Sequence, residues 1–217
     1  MVDLLIISFG VILLALLLFH EKNGSSKIAL LIKTALSSLF IITALIHPHS
    51  SAGYYPYLLG GLFLCLNGDV CLALRGEVAF KMGLIAFLLG HILYILGFQS
   101  LVAIREWVSI GAFAIWIISL LVFFWLRPHL GGMVVPVTAY IVVITGMATG
   151  ALAIFWKAGC PFSAKVVILC GAVSFYFSDV FVARDKFIKK EFLNRLIGLP
   201  LYYLGQFLLA FSAGLIK

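Results

Sequence analysis

Residues 61–70 read Gly-Leu-Phe-Leu-Cys-Leu-Asn-Gly-Asp-Val, and residues 171–180 read Gly-Ala-Val-Ser-Phe-Tyr-Phe-Ser-Asp-Val. Each copy has a glycine eight residues before an aspartate, a small residue directly before that aspartate, and a valine after it. Both copies lie within long apolar runs. A carboxylate near the centre of a membrane helix costs roughly 2.5–3.5 kcal/mol on insertion scales and indicates a functional site by default. Asp69 and Asp179 are therefore the first candidates for such a site.

A second pair of matching segments extends the similarity between the two halves of the chain. Residues 83–91 read Gly-Leu-Ile-Ala-Phe-Leu-Leu-Gly-His, and residues 198–206 read Gly-Leu-Pro-Leu-Tyr-Tyr-Leu-Gly-Gln. Two matching pairs in the same order favour a tandem duplication. We therefore expect one integral membrane domain over residues 1–217, with possible repeats of about residues 1–105 and 106–217.

The composition excludes a soluble globular domain. Of the 217 residues, 64% are hydrophobic and 11% are charged, whereas a soluble domain carries about 25% charged residues. The net charge of +7 therefore bears on membrane topology and lipid headgroups rather than on nucleic acid. We expect the lipid bilayer as the surroundings, no nucleic-acid partner, and we infer no obligate protein partner.

Apolar runs of about 18–22 residues predict an all-α, polytopic membrane protein with eight transmembrane helices. The predicted arrangement is two parallel four-helix repeats. Short connections marked by glycine, proline and charged residues separate the spans. The predicted spans are residues 3–20, 28–46, 57–74, 78–98, 108–126, 132–156, 164–183 and 196–215.

Lysine and arginine orient the predicted bundle. The connections after the odd-numbered helices, with their flanks, hold eleven of the 15 basic residues, and the opposite side holds four. The positive-inside rule then places both termini outside and the basic loops in the cytoplasm, which in a bacterium means the inner membrane. The eleven are Lys22, Lys27, Lys33, Arg75, Lys81, Arg127, Arg184, Lys186, Lys189, Lys190 and Arg195; the other four are Arg105, Lys157, Lys165 and Lys217.

The two aspartates are expected at the same depth. Asp69 lies six residues before Arg75, and Asp179 lies five residues before Arg184, so both sit roughly 8 Å below the basic side at a rise of about 1.5 Å per residue. Helices three and seven run in the same direction, so a parallel repeat relates them about an axis along the membrane normal. Such an axis can bring both carboxylates to one central cavity.

Other polar side chains are expected around this cavity, which would be a polar cleft that continues into an apolar pocket. That shape fits a lipid with a charged head and a long tail. Asn67 and Ser178, within two residues of the aspartates, are included as supporting residues. The remaining candidates are Lys33, His91, Tyr94, Tyr140, Tyr202, Tyr203 and Gln206.

Two carboxylates in a low-dielectric cavity should not both be ionised, which leaves a protonated acid beside a carboxylate base. Such a pair is suited to acid–base hydrolysis. The aromatic residues around Asp179 favour it as the protonated member. The alternative is that each aspartate makes a separate structural hydrogen bond between helices.

The supporting residues also have two interpretations each. Lys33 could pair with a phosphate or extend to the membrane interface. His91 could tune the aspartate pair or satisfy an interhelical hydrogen bond, and the tyrosines could be packing residues. No metal site is predicted. His47-Pro-His49 fits a polar loop better than a metal site, and no tight ligand spacing supports Asp69, Asp179 and His91 as metal ligands.

The motifs together resemble the YhhN-like family of integral membrane lysoplasmalogenases, in order from about Lys33 to Gln206. The family lysine of the second helix is usually followed by proline, whereas Thr34 follows Lys33 here. The matching segments are residues 61–72 (GLFLCLNGDVCL), 83–98 (GLIAFLLGHILYILGF), 127–140 (RPHLGGMVVPVTAY), 171–180 (GAVSFYFSDV) and 198–206 (GLPLYYLGQ).

The resemblance implies hydrolysis of the vinyl ether bond of a lysophospholipid substrate, the lysoplasmalogen, without a metal or organic cofactor. The implied products are a fatty aldehyde and glycerophosphoethanolamine or glycerophosphocholine, and Asp69 and Asp179 would be the catalytic pair. A proton-coupled transporter of a lipid-like or small solute is the alternative, because parallel repeats with carboxylates inside the bundle also describe such carriers. A structural or assembly role within the membrane would leave the carboxylates unexplained.

Overall fold

The structure is a computed structural model that describes residues 1–24, 26–48, 53–74 and 76–216. His49, Arg75 and Lys217, which entered the sequence-based predictions, lie outside these residues. Within the described ranges the chain forms eight α-helices and no β-strand. The helices are α1 (Val2–Lys22), α2 (Ser26–Ile46), α3 (Tyr55–Ala73), α4 (Glu77–Leu101), α5 (Ile110–Leu126), α6 (Val134–Trp156), α7 (Phe162–Ala183) and α8 (Phe192–Ser212).

The lengths and hydropathies of these helices confirm an all-α, multi-pass membrane protein. In the part of the chain that the structure describes, seven helices are long and apolar enough to cross a membrane. A bilayer requires each segment to satisfy its own backbone hydrogen bonds, which is why apolar runs of this length become helices. The eighth, α8, is more polar because it carries Asn194, Arg195, Gln206 and two tyrosines, yet it packs against α7, α2 and α1 within the bundle.

The predicted helix limits agree with the structure to within a few residues, except near residue 190. There the sequence predicted a connection from Arg184 to Arg195. Instead, α7 continues into a π-helical turn, Arg184–Ile188, and α8 begins at Phe192. We call residues 184–191 the strap, because they run across one end of the bundle.

Glycines allow the closest helix pairs to approach. A Cβ atom added at Gly90 of α4 would lie 3.2 Å from the carbonyl oxygen of Gly61 in α3. The corresponding Cβ at Gly205 of α8 would lie 2.8 Å from the carbonyl oxygen of Gly171 in α7. Small residues at such crossings are typical of membrane helix packing. The α3–α4 and α7–α8 pairs thus use matching glycines, which supports the predicted repeat, although the repeat stays a prediction.

The remaining helices pack around the α3–α4 pair and the α7–α8 pair, and α2 and α6 each contact both pairs. Helix α2 packs against α3 and α8, and α6 packs against α7 and α4. These contacts join the two halves of the chain, while α1 lies against α2 and α8, and α5 lies against α6. The helices that carry the two aspartates, α3 and α7, therefore both border the centre of the bundle.

Candidate active site

A cavity of about 1100 Å³ lies at the end of the bundle where α3 and α7 finish and α4 and α8 begin. We call this end the basic face, because Lys22, Arg127, Arg184 and Arg195 lie there. The strap and the end of α1 form part of the cavity rim. Six of the predicted site residues line the cavity: Lys33, Asp69, Tyr140, Ser178, Asp179 and Tyr202.

Asp69 is held by hydroxyl groups from two other helices. Its side chain is 2% exposed, and it lies four residues before Ala73, the last residue of α3. One carboxylate oxygen, Oδ2, accepts hydrogen bonds from Ser37 Oγ of α2 at 2.6 Å and from Tyr202 Oη of α8 at 2.5 Å. Hydrogen bonds donated to a carboxylate stabilise its ionised form. These two hydrogen bonds favour the ionised form of Asp69, whereas the burial of its side chain disfavours it.

Asp179 occupies the equivalent position on α7, four residues before Ala183, but has different partners. Its Oδ2 accepts one hydrogen bond, from Tyr140 Oη of α6 at 2.6 Å. His91 Nε2 of α4 is 3.9 Å from the same oxygen, which is too long for a hydrogen bond. The Asp179 side chain is 18% exposed, so it is the more accessible of the two carboxylates.

Cys65 lies near both aspartates. Its buried thiol is close enough to Asp69 and Asp179 to interact electrostatically with each carboxylate. This proximity agrees with the shared cavity, and it is the arrangement that the matching depths on α3 and α7 predicted.

His91 has no hydrogen-bond partner of normal geometry among the described residues. It is fully buried, and both ring nitrogens are unsatisfied. Three aromatic rings pack edge-on against it, with centroids at 4.5 Å for Phe175, 5.4 Å for Tyr140 and 6.3 Å for Tyr94. A buried polar nitrogen without a partner costs about 1–3 kcal/mol. Among the carboxylate oxygens of the described residues, Asp179 Oδ2 is the one that lies within 4.0 Å of this imidazole.

Tyr94 and Gln206 act on the site indirectly. The Tyr94 hydroxyl donates to Gln206 Oε1 at 2.8 Å, and Gln206 Nε2 donates to the Tyr202 hydroxyl at 3.4 Å. Tyr202 in turn donates to Asp69. These two predicted residues thus lie behind the cavity wall and orient the tyrosine that contacts the carboxylate.

Three further predicted residues differ in their placement. Ser178 is buried and lines the cavity beside Asp179. Tyr203 is buried near Ser37, but its hydroxyl makes no hydrogen bond of normal geometry with a described residue. Asn67 is exposed, and its amide donates to the Phe63 carbonyl of its own helix. The structure therefore does not bring Asn67 to the site.

Lys33 forms part of the cavity wall and is 8% exposed. It is close enough to Asp69 for an electrostatic interaction. No carboxylate oxygen of a described residue is within 4.0 Å of its ammonium nitrogen, however, which is the limit for an ion pair. This lysine is a buried cation that faces the cavity.

The rim of the cavity is a network of charged residues around the strap. Arg195 of α8 pairs with Glu21 of α1, and its Nε lies 3.7 Å from Asp185 Oδ2. Arg184 donates to Glu191 at 2.9 Å and to the side chain of Asn194. These contacts hold the strap against the start of α8, and Arg195 links both to the end of α1.

Glu191 is stabilised as an anion in this network. The hydrogen bond from Lys189 contributes most, and the bond from Arg184 adds to it; together they hold the pKa of the Glu191 carboxyl below its ordinary value of 4.5. This carboxylate is therefore already engaged by cations of the strap.

Two parts of the site were missed by the sequence reasoning. The first is Ser37, although its position four residues after Lys33 places both on one face of α2. The second is the rim contact between Glu21 and Arg195, which joins residues far apart in sequence. Within the described residues, no group of three His, Cys, Asp or Glu side chains could hold a metal ion.

Comparisons with known proteins place this site in a family context. The sequence model of the YhhN family matches residues 28–213. A Mycobacterium tuberculosis protein named lysoplasmalogenase is 30% identical over 191 residues, which are 84% of this chain and 68% of the relative. The lysoplasmalogenase TMEM86B of Rattus norvegicus is 29% identical over 199 residues, which are 91% of this chain and 78% of the relative. No solved structure gives a significant match.

Proposed function

The chain belongs to the YhhN family, and from this premise we propose that it is a membrane hydrolase that cleaves the vinyl ether bond of lysoplasmalogens. The products are a fatty aldehyde and a glycerophospho-headgroup. The relatives named lysoplasmalogenase support this assignment. The structural observation that carries it is the pair of aspartates, Asp69 and Asp179, which line one cavity within a membrane bundle.

The reaction requires an acid that can protonate carbon. Protonation of the β-carbon of the vinyl ether gives an oxocarbenium ion, and water then adds to the carbon that bears the ether oxygen. The resulting hemiacetal collapses to the aldehyde and the free glycerol hydroxyl. A neutral carboxylic acid supplies the proton, and a neighbouring carboxylate stabilises the cation and accepts a proton from water, as paired carboxylates do in glycoside hydrolysis.

The hydrogen bonds divide these roles between the two aspartates. Asp69 accepts two hydroxyl hydrogen bonds on one oxygen and has Lys33 nearby, so it suits the ionised member of the pair. Asp179 accepts one hydrogen bond and is more exposed to the cavity. We therefore assign Asp179 as the acid and Asp69 as the carboxylate that stabilises the cation and activates water.

His91 is assigned as a positioning residue for Asp179. Hydrogen bonds in an empty active site are often long and shorten when substrate binds. The 3.9 Å separation between His91 Nε2 and Asp179 Oδ2 is of this kind. A small shift on binding would let the imidazole and the Tyr140 hydroxyl fix the orientation of the acid together.

The rest of the cavity suits a lipid. Its volume of about 1100 Å³ is at the upper end of ligand pockets, which span about 300–1,000 Å³. Between α5 and α6 the wall is apolar and includes Val122, Val137, Ile141 and Ile144. This wall offers a place for the hydrocarbon chain, while the polar groups of the substrate face the aspartates and the basic rim.

The aspartate pair is tested with alkenyl- and acyl-lysophospholipids and purified protein in detergent. We expect aldehyde release from the alkenyl substrate and little fatty acid from the acyl one. Asp69→Asn and Asp179→Asn should each abolish aldehyde release while the protein remains folded and inserted in the membrane. Asp3→Asn, which changes an exposed carboxyl at the far end of α1, is the matched control. Near-native turnover by either active-site variant would rule out the pair as the catalytic machinery.

A proton-coupled carrier is distinguished by the same preparation in vesicles. Carboxylates within membrane helices are the observation that favours it. Substrate-dependent proton or lipid flux without aldehyde formation would replace the hydrolase assignment with transport.

A further inference from the structure

We propose that Lys33 binds the phosphate of the substrate headgroup, so that this cavity recognises a glycerophosphate unit rather than a vinyl ether lipid in general. The proposal deepens the hydrolase assignment and rests on it for the identity of the ligand. It is carried by the burial of Lys33, by the absence of an ion pair between Lys33 and any carboxylate of the described residues, and by its spacing from Ser37, which contacts Asp69.

Lys33 is a buried cation that needs an anion. It is 8% exposed and lines the cavity, and a buried ammonium without a partner is strongly unfavourable. Asp69, which interacts electrostatically with Lys33, directs its Oδ2 to Ser37 and Tyr202 and lies beyond ion-pair distance from the ammonium. An anionic group of a ligand in the cavity would supply the ion-pair partner that the described residues do not provide for the Lys33 ammonium.

Four basic residues near the rim already contact other groups of the protein. Arg184 and Lys189 pair with Glu191, and Arg195 pairs with Glu21. Lys186 lies over the ring of Phe80, with its nitrogen 4.3 Å from the ring centroid. These side chains are already engaged by the protein. Lys33 lies deeper in the bundle than these residues, and among the described residues it makes neither an ion pair nor a contact with an aromatic ring.

The spacing along α2 matches the length of a glycerol backbone. Lys33 and Ser37 are four residues apart on one helix face, which corresponds to roughly 6 Å along the axis. Ser37 contacts Asp69, and Lys33 lies one turn nearer to the basic face. In the substrate the ether oxygen and the phosphate oxygen are joined by four bonds of about 1.5 Å each, so they are roughly 5 Å apart when extended. An ether oxygen near Asp69 thus places the phosphate beside Lys33.

The test measures binding of two lipids that cannot be hydrolysed, because they carry an alkyl ether in place of the vinyl ether. One is 1-O-hexadecylglycerol 3-phosphate, and the other is 1-O-hexadecylglycerol, which lacks the phosphate. Titration calorimetry of the full-length protein in detergent gives each dissociation constant. We use Lys33→Met, which keeps the length but removes the charge, Lys33→Arg, which keeps the charge, and Lys81→Met as the matched control. Lys81 is an exposed lysine at the same face that pairs with Glu77.

Lys33→Met should weaken binding of the phosphate lipid roughly 10- to 100-fold, which is the range for a hydrogen bond to a charged group. Its affinity for the phosphate-free lipid should be unchanged, which also shows that the variant is folded. Lys33→Arg should retain most of the phosphate-dependent affinity, and Lys81→Met should behave like the unaltered protein.

Two outcomes would overturn the proposal. One is equal loss of affinity for both lipids in Lys33→Met, which would make Lys33 a structural or electrostatic support of Asp69. The other is unchanged affinity for the phosphate lipid. Because neither ligand is cleaved, the result is separate from the test of hydrolysis. If the protein binds the phosphate lipid through Lys33 but releases no aldehyde, the phosphate site is supported and the hydrolase assignment is rejected.

Discussion

Asp69 and Asp179 show how two residues at equivalent positions acquire different properties. Each lies four residues before the end of its helix, and each accepts a hydrogen bond from a tyrosine. Asp69 has a second donor, Ser37, whereas Asp179 has the unsatisfied His91 nearby. In the proposed mechanism, the local hydrogen-bond donors, rather than the position in the helix, would distinguish the acid from the carboxylate base.

The adjacent tyrosines of α8 provide a matched test of this interpretation at the level of single hydroxyls. Tyr202→Phe removes a donor to Asp69 and should lower turnover roughly 10- to 100-fold, because such a bond to a charged group is worth about 1.5–3 kcal/mol. Tyr203→Phe removes an equally buried hydroxyl without a hydrogen bond of normal geometry and should leave turnover nearly unchanged. Initial rates of aldehyde release measure both. Equal effects of the two changes would contradict the assignment of Tyr202 to Asp69.

At the scale of elements, the strap between α7 and α8 is the part of the fold that depends most on tertiary contacts. The Asn194 side chain is 2% exposed, and both its oxygen and its nitrogen form hydrogen bonds. Its side-chain oxygen accepts from Arg184, and its amide nitrogen donates to Asp185 Oδ1 at 3.1 Å and to the Lys189 carbonyl at 2.7 Å. This single side chain therefore organises the turn that forms part of the rim.

Asn194→Ala should destabilise the protein by about 2 kcal/mol or more, because it leaves several polar groups of the strap without their partner. Asn67→Ala is the control, because Asn67 is exposed and bonds only within its own helix; such changes stay within about 0.5 kcal/mol. Thermal unfolding of the two variants in the same detergent compares them. A melting temperature for Asn194→Ala as high as that for Asn67→Ala would show that the network contributes little.

The sequence was sufficient for the helices but not for the strap. Long apolar runs leave the chain no alternative in a bilayer, so all eight helices appear within a few residues of their predicted limits. Residues 184–195 are polar, and their conformation depends on distant partners such as Glu21. Local composition therefore predicted a connection where the structure has a π-helical turn and the first residues of α8.

The site was predictable to a similar extent. Carboxylates, tyrosines and a lysine inside apolar runs are visible in the sequence because each is costly there. The role of Ser37 could not be predicted in this way. A serine hydroxyl in a membrane helix can donate to a backbone carbonyl of its own helix and so needs no partner on another helix. Asn67 was chosen for its proximity to Asp69 in sequence, but two residues along a helix point to different faces, and it lies away from the cavity.

At the scale of the whole molecule, the cavity opens at the end of the bundle that carries many of the basic residues. The rim residues Lys22, Lys189, Lys190 and Arg195 surround the cavity at the basic face. From the positive-inside rule we expect this face to lie in the cytoplasm. The headgroup of the lipid substrate would then enter from the cytoplasmic leaflet.

This orientation predicts that the C-terminus lies outside the cytoplasm. When the protein is expressed in a bacterial inner membrane, alkaline phosphatase fused after the last residue should be active, because the enzyme folds only outside the cytoplasm. A green fluorescent protein fused at the same point should be dark. Fusions within the connection between α3 and α4 are the control and should give the reverse pattern. A bright C-terminal fusion would place the basic face, and the cavity with it, on the outer side.

Helix α1 ends before residue 28, where the match to the YhhN family begins, yet its last turn forms part of the rim and Glu21 pairs with Arg195. One side of the cavity rim is thus formed by a segment that precedes the residues matched by the family model. The mouth of the cavity therefore joins the first and the last helix of the bundle, and we expect changes in α1 to act on lipid entry rather than on the proposed chemistry.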